Sequence, residues 1–247
     1  MSLKNIIDLT QLLEPGSPTW SSHVSCAYKT VPVKSDKSLI QLTQIQFEES
    51  GVGTHIDGPS HFSKGACISD LPIDRFIAPL NLIDLSEKAH AGFLCTSEDI
   101  ESYEARYGKI PSSSAVYIHF GWCKYWKSPV QYRGTNCSEL KFPSVAPEAA
   151  LLLAERKISL LGVDTLSPDC GSEGKFPVHE ILLSEGICII ENLGSPQSIT
   201  ARGYSFCALP LRISHLHESP TRAFAFLSES EDPVRRKASI NTQELSS

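Results

Sequence analysis

The chain has 247 residues, of which 41% are hydrophobic and 20% are charged, and its formal net charge at pH 7 is −6. This composition is typical of a globular protein with one large domain or two small ones. The negative charge, without any basic cluster, argues against a nucleic-acid binder. No apolar run approaches the roughly 18 residues that a membrane helix needs.

The N-terminal part predicts two strands joined by a loop. Residues 3–9 predict a short strand, and Leu39–Phe47 alternates in part between apolar and polar side chains, which is typical of another. The loop between them contains Pro15 and Pro18 and carries Trp20. Charge interrupts the first residues too early for a signal peptide, so we expect a cytoplasmic protein.

Two imidazoles and a carboxylate fall within the short segment from Gly51 to Phe62. If the chain is extended there, His55 and Asp57 point to the same side, because strand side chains alternate. Pro59 then fixes the chain direction, and His61 can turn back over the same place. A His-x-Asp pair on one face suits a divalent metal ion. The alternative is a turn with two incidental histidines.

The middle of the chain predicts a strand, a helix and a second strand. Pro79–Leu85 is apolar and predicts a strand. Thr96, followed by carboxylates, predicts the N-cap of a helix that runs to about Tyr107 and stops at Gly108. Ala115–Phe120 predicts a buried strand.

A polar stretch follows that buried strand. His119 lies near the end of the strand, and Trp122 comes just after it. Residues 126–140 are polar and irregular, and we expect a long surface loop there that serves as a lid or an oligomer contact.

Strands and helices continue to mix in the C-terminal half. Proline at the first position and a run of alanine and leucine predict a helix from Pro147 to Arg156. The remaining predicted elements are a strand at 160–164, a short helix at 179–185, a strand at 187–191, and strand-like stretches at 206–213 and 223–227. This order lacks a strict βαβα rhythm and predicts an α/β domain with a mixed sheet. The domain spans residues 1–228, and residues 229–247 form a polar tail.

Two residues of this half can complete a metal site. His179 lies in the short helix and Glu191 ends the following strand. Seven helical residues rise roughly 10 Å, and five strand residues return roughly 13–16 Å. A reversal at Gly186 therefore brings the two side chains close. The alternative is that His179 points to solvent, whereas a carboxylate at the end of an apolar strand needs a partner.

Other polar residues are open to more than one interpretation. Asp164 and Asp169 are either turn caps or supports for nearby ligands. His215 and His217 have spacing that suits a metal if extended, but they fall in a polar loop that we expect at the surface.

Taken together, these segments resemble the cyclase-like metal hydrolases, the family that includes bacterial kynurenine formamidase and isatin hydrolase. The family motif runs, closely, His-x-Gly-Thr-His-x-Asp-x-Pro-x-x-x-His. The family also carries a His and a Glu twelve residues apart, and here 191 − 179 = 12. The resemblance covers about residues 5–228. The residues that match the central motif are Gly53, Thr54, His55, Asp57, Pro59 and His61.

The resemblance implies a metal centre, with one departure. The first His of the family motif falls at Gly51, which offers no side chain. The family's double-metal centre uses that His, so we expect one firmly bound ion per chain. Its ligands would be His55, Asp57, His179 and Glu191 or a subset of them, and both zinc and manganese suit such mixed ligands.

The resemblance also implies a fold and a reaction. The fold is the swivelling β/β/α domain, assembled as dimers or tetramers. The reaction is hydrolysis of an amide-type bond in a small molecule, either an N-formyl arylamine such as N-formylkynurenine or a cyclic amide. The last His of the motif, His61, would shuttle the proton. Trp20 corresponds to a Trp that lines the family's pocket, although it could instead pack a loop onto the core.

Several alternatives remain open at this point. His119 and Trp122 are further candidates to hold a flat substrate beside Trp20. A protein that lost catalysis together with the first His would be a binding protein on the same fold. A metal-dependent cyclase or lyase with a non-amide substrate is the third possibility.

Overall fold

A computed structural model of the protein describes residues 4–21, 26–34, 39–134, 140–170 and 174–227. The predicted tail at 229–247 lies outside these residues. The strands within them are β1 (Lys4–Asp8), β2 (Cys26–Lys34), β3 (Leu39–Phe47), β4 (His55–Asp57), β5 (Ile77–Asp84), β6 (Leu94–Cys95), β7 (Ala115–His119), β8 (Ser144–Val145), β9 (Leu160–Val163), β10 (Cys188–Glu191), β11 (Ser205–Pro210) and β12 (Glu218–Leu227). The α-helices are α1 (Ser97–Tyr107), α2 (Pro129–Tyr132), α3 (Pro147–Glu155) and α4 (Pro177–Ser184).

Eight strands form one mixed sheet in the order β1-β12-β11-β5-β7-β9-β10-β4. The pairs among β5, β7, β9 and β10 are parallel, and the remaining pairs are antiparallel. β4 pairs with β10 on one edge and with β12 on the other. The strand pairing therefore returns on itself at β4, and the predicted α/β domain with a mixed sheet is confirmed.

The parallel strands are apolar because they are covered on both faces. All residues of β7, β9 and β10 are buried. One face packs against α1, α3 and α4, whose fully buried side chains include Ile100, Leu153 and Leu182. The other face packs against residues such as Leu9 and Phe206. The helices therefore hold the middle strands in place while β4 stays at the edge of this core.

Helix α1 begins and ends as predicted. The side chains of Thr96 and Asp99 form a reciprocal capping box at its start, which satisfies two backbone amides that the helix leaves free. Gly108 follows the helix with a φ of +86°, a conformation that favours glycine.

The stretch 126–140 is only partly a surface loop, so the prediction of a long surface loop was wrong in part. Trp126 and Tyr132 are buried, and α2 lies in the middle of the stretch. The indole of Trp126 donates to the carbonyl of Leu12 at 2.9 Å, and the hydroxyl of Tyr132 donates to the carbonyl of Asp164 at 3.0 Å. The two buried aromatic residues do not form a regular helical or strand pattern with their neighbours. Because the residues around them are polar, the sequence did not indicate a buried segment. Residues 135–139 of the stretch lie outside the described residues.

No strand was predicted at β2, which pairs with β3 in a separate two-stranded sheet. Several apolar side chains of this sheet are exposed, among them Tyr28, Leu42 and Ile45. Strands that are not half-buried lack the regular alternation on which prediction depends. Among the described residues, no helix is both long enough and apolar enough to cross a membrane.

One ion pair joins α1 to the end of α3 and gives the first prediction. The guanidinium of Arg156 donates to Glu104 at 2.8 and 2.9 Å, and the backbone amide of Ile110 donates to the same carboxylate at 3.0 Å. The bond from Arg156 is the main cause that lowers the pKa of Glu104. A lowered folded pKa adds stability above the unfolded pKa and loses it as the pH falls through the folded pKa.

We therefore expect Glu104→Gln to lower the free energy of unfolding by about 1 kcal/mol at pH 7. The difference from wild type should shrink as the pH falls towards about 4. Urea unfolding at several pH values measures this, and Glu101→Gln, an exposed position on the same helix, is the control. An equal loss at all pH values would show that the charge of Glu104 is not the cause.

Candidate metal centre

The three residues of β4 lie at the centre of the site because β4 is paired along both edges. On one edge, Glu191 of β10 lies opposite His55. On the other, Glu218 at the start of β12 lies opposite Asp57. Residues directly opposite in antiparallel strands place their side chains on the same face, and His55 and Asp57 share that face. Strand pairing alone therefore gathers one imidazole and three carboxylates.

The second imidazole reaches this place from α4. Gly186, with a φ of +73°, follows the helix and allows the reversal into β10. At the start of the helix, Asp169 accepts hydrogen bonds from the amides of Val178 and His179, each at 3.0 Å. The same carboxylate lies 2.7 Å from Nδ1 of His179. Asp169 therefore supports His179, one of the two interpretations left open by the sequence, and it caps the start of α4 instead of its own turn.

Four side chains converge as the sequence predicted. Nε2 of His55 lies 3.3 Å from Oε2 of Glu191 and 3.5 Å from Oδ1 of Asp57. Nε2 of His179 lies 3.2 Å from Oε1 of Glu191 and 3.4 Å from Oδ2 of Asp57. The two rings meet different oxygens of each carboxylate, and one ligand atom from each of His55, Asp57 and Glu191 lies within 4.8 Å of the others. The spacing of these atoms therefore fits a divalent cation.

The orientation of the two rings supports the same conclusion. Nδ1 of His55 donates to the carbonyl of Gly53 at 2.9 Å, as Nδ1 of His179 does to Asp169. Ligating histidines generally use one ring nitrogen for such a bond and the other for the metal. In addition, Oδ1 of Asp57 is buried and makes no hydrogen bond with any residue that the structure describes. A buried carboxylate oxygen without a partner is unfavourable, and a cation would satisfy it.

The protonation of the site shows how strongly it attracts positive charge. Burial lowers the pKa of His55, but the carboxylates of Glu191 and Asp57 outweigh it and raise the pKa to about 10. Burial also opposes the charged form of His179, whose pKa is nevertheless raised by Asp169, Asp57 and Glu191. Burial raises the pKa of Asp57, but the two imidazoles lower it overall. Protons on the rings thus balance the carboxylates, and a metal ion would displace those protons.

The converging side chains lie in a cavity of about 190 Å³. Its lining includes the rings of Trp20, Phe62 and Phe176. The ring centroids of Trp20 and Phe176 are 5.4 Å apart, as are those of Phe62 and Phe176. The structure therefore places Trp20 at the cavity, as the sequence suggested, and gives the cavity one aromatic side and one charged side.

His61 lies at the more exposed edge of the charged side. It belongs to a single turn of 3-10 helix that starts at Pro59, and its side chain is 30% exposed, against 6% for His55 and 5% for His179. Nε2 of His61 is 3.8 Å from Oε2 of Glu218. The ring is therefore close to the buried ligands yet accessible to a substrate.

His119 and Trp122 do not line this cavity. Nδ1 of His119 lies 3.1 Å from Asp84, and its Nε2 lies 3.6 Å from Asp164. The indole of Trp122 is buried and donates to the carbonyl of Tyr132 at 2.7 Å. Asp164 accepts three backbone amides around this turn. The proximity of these residues to the end of a strand suggested the pocket, but they stabilise the turn after β7 instead.

Two acidic residues that line the cavity were not among the predicted ligands. Glu218 follows the polar loop with His215 and His217 and was not considered by itself, yet it is the first residue of β12 and faces Asp57. Glu49 also lines the cavity, and within the described ranges its buried Oε1 has no hydrogen-bond partner. Burial raises the pKa of Glu49, and the nearby charge of Glu218 raises it further. Only the register of β4 with β12 could have indicated Glu218.

The contact between Asp169 and His179 gives the second prediction. Asp169→Asn removes the acceptor charge next to Nδ1 and should weaken metal affinity by about 10–100-fold, the usual effect of losing such a support. Asp57→Ala removes a ligand and should lose most of the metal. Elemental analysis after dialysis against trace zinc or manganese measures both, and Glu180→Gln, exposed on α4, is the control. Full metal retention in both variants would contradict the site.

Comparison with known proteins places this geometry in a family. A family profile described as putative cyclase matches residues 7–170. Isatin hydrolase of Roseibium aggregatum is 28% identical over 241 residues, covering 90% of this chain and 91% of that protein. Kynurenine formamidase of Bacillus cereus is 26% identical over 228 residues, covering 90% of this chain and 98% of that protein.

A solved structure shows the same fold. It is an isatin hydrolase bound to the product analogue thioisatinate, with a TM-score of 0.82 and 24% identity, covering 91% of this chain and 93% of that one. The fold implied by the sequence resemblance is thereby confirmed, as is the enzyme class at the level of the family, because the named relatives are hydrolases. The profile matches more than half of the chain, and the chain therefore belongs to the putative cyclase family.

Proposed function

We propose that the protein is a metal-dependent hydrolase that cleaves an amide-type bond in a flat aromatic substrate. The observation that carries this proposal is the convergence of His55, Asp57, His179 and Glu191 in a cavity whose other side is aromatic. The named relatives, isatin hydrolase and kynurenine formamidase, support hydrolysis of this bond type.

The four converging side chains would hold the ion, and their mixed nitrogen and oxygen atoms suit zinc or manganese. A bound divalent cation supplies a Lewis acid for the carbonyl and lowers the pKa of a coordinated water. The chain contributes the orientation of both imidazoles through Gly53 and Asp169. Because the donors are fixed before the ion arrives, little reorganisation opposes binding.

His61 is the group that we assign to proton transfer. Its Nε2 faces the charged side of the cavity, and its ring lies 6.2 Å from the ring of His179, centroid to centroid. Imidazole can accept a proton from water and return it to the leaving nitrogen near neutral pH. Because His61 is partly exposed, its ring is accessible both to the water and to the leaving nitrogen of the substrate.

The cavity lining favours a neutral ring over an amino acid. The aromatic rings of Trp20, Phe62 and Phe176 can stack on a flat substrate. Among the described residues that line the cavity, none is lysine or arginine, so neither of these side chains can pair there with an α-carboxylate. We therefore place a cyclic amide such as isatin ahead of N-formylkynurenine as substrate.

A substrate panel tests the proposal. Metal-loaded protein should hydrolyse isatin, followed by absorbance, with a higher kcat/KM than for N-formylkynurenine, and Asp57→Ala should be inactive on both. Absence of turnover on any cyclic or N-formyl arylamide, with metal bound and ligand binding saturable, would contradict a hydrolase and favour a binding protein.

The third prediction concerns His61. His61→Ala should lower kcat by about two to four orders of magnitude, the usual range for a general acid–base group, while metal content stays at the wild-type level. Steady-state kinetics and elemental analysis of the same preparations measure both. Glu185→Gln, exposed after α4, is the control.

Unchanged kcat in His61→Ala would remove the residue from the mechanism. Loss of metal in that variant would instead make His61 a ligand.

Assembly as a homodimer or homotetramer remains a prediction of the resemblance, and a cytoplasmic location remains a prediction of the N-terminal sequence. The exposed apolar side chains of the β2–β3 sheet, Tyr28, Leu42 and Ile45 among them, support assembly, because surfaces of this kind are often covered by a partner.

A further inference from the structure

The space beside Gly51 is occupied by the side chain of Glu218. A Cβ atom added to Gly51 would lie 2.5 Å from Oε2 and 2.9 Å from Cδ of Glu218. Gly51 does not have a positive φ, so its backbone would accept a side chain. Glycine at position 51 therefore makes room for the neighbouring carboxylate. It is not needed there for a backbone conformation that only glycine adopts.

Strand pairing directs the Glu218 carboxylate into the cavity. Glu218 lies directly opposite Asp57, and its side chain is 18% exposed. The hydroxyl of Ser50 donates to Oε1 at 3.1 Å, which leaves Oε2 towards the charged side of the cavity. One ligand atom from each of Asp57, His61 and Glu218 lies within 4.8 Å of the others. That is the spacing of atoms that can contact one ion.

With one cation bound at the first site, this part of the cavity would keep an excess of negative charge. Among the described residues, the lining holds four carboxylates and no lysine or arginine; these carboxylates are Glu49, Asp57, Glu191 and Glu218. Oδ1 of Asp57, a residue that is 1% exposed, has no hydrogen bond to the described part of the chain. Oε1 of Glu49 is also buried without one. Carboxylates removed from water without a partner are unfavourable, so these atoms indicate a cation.

We propose that Glu218 replaces the imidazole missing at position 51, and that its carboxylate together with Asp57 holds a second divalent cation next to the first. This inference rests on the proposed function, which supplies the first cation, and Asp57 would be shared between the two. Two carboxylates suit a hard cation that keeps several waters, so this position takes manganese or magnesium ahead of zinc. The single ion expected from the sequence rests on the absence of that His and includes no ligand from Glu218.

His61 keeps its role in proton transfer beside this second ion. Asp57 and Glu218 are fixed opposite each other by the sheet, whereas His61 lies on one turn of 3-10 helix at the exposed edge. A preorganised pair of carboxylates is the better ligand set. His61 is then placed to exchange a proton with water at either ion.

Metal stoichiometry tests the proposal without an activity measurement. Metal-free protein is dialysed to equilibrium against manganese, and bound metal is measured by elemental analysis. Wild type should bind about two ions per chain, as in other two-metal sites. Glu218→Gln, which keeps the shape of the side chain but removes its charge, should lose one of the two. Glu185→Gln is the matched control and should bind as wild type does.

A swap of the two positions adds a second readout. In the double variant Gly51→His/Glu218→Ala, the carboxylate that would contact the new side chain is gone, and an imidazole stands in the same space. This variant should regain the ion that Glu218→Gln loses. The manganese-dependent increase in melting temperature should follow the same order, largest in wild type and in the swap.

The outcomes separate this inference from the proposed function. One ion in wild type and one in Glu218→Gln overturn the second cation and leave the proposed function intact. Two ions in both proteins overturn the role of Glu218. No bound ion in wild type overturns both proposals. Loss of one ion in His61→Ala, with two retained in Glu218→Gln, would overturn the assignment by making His61 the ligand instead.

Discussion

The site depends on the pairing of one three-residue strand with two neighbours. β4 is bonded to β10 on one edge and to β12 on the other, and a slip of one residue on either edge would turn its side chains to the opposite face. The register therefore decides which side chains meet. Since the middle strands are packed between two apolar layers, β10 and β9 form a rigid support on which that register is built.

The same arrangement explains why charged side chains can be buried at this point. An isolated carboxylate or imidazolium inside a protein is strongly unfavourable unless its partners are in place. Here each buried ring nitrogen lies between two carboxylates, and its opposite nitrogen is bonded to the backbone or to Asp169. The folding of the sheet and the binding of an ion are therefore coupled, because the sheet brings together charges that an ion stabilises.

Local patterns predicted much of the fold and the buried half of the site. Period-two and period-3.6 patterns found most of the large elements, and the spacing of His179 and Glu191 around Gly186 placed them correctly beside His55. His119 was assigned to the cavity because it lies near the end of a strand. That position does not show which way the turn after β7 faces. Glu218 was missed because its neighbour Asp57 lies 161 residues away in sequence (218 − 57). Such a contact follows from sheet topology, which local sequence does not specify.

Asp169 links the metal site to the local stability of a helix. Its carboxylate accepts the first free amides of α4 and also holds the ring of His179, so opening of that helical end and rotation of the ring are the same event. The amide hydrogens that Val178 and His179 donate to this carboxylate therefore report on occupancy of the site. Ion binding should retard their exchange with solvent through this one carboxylate. The loop that carries Asp169 would therefore respond to a bound ion through the ring of His179 and not through direct contact.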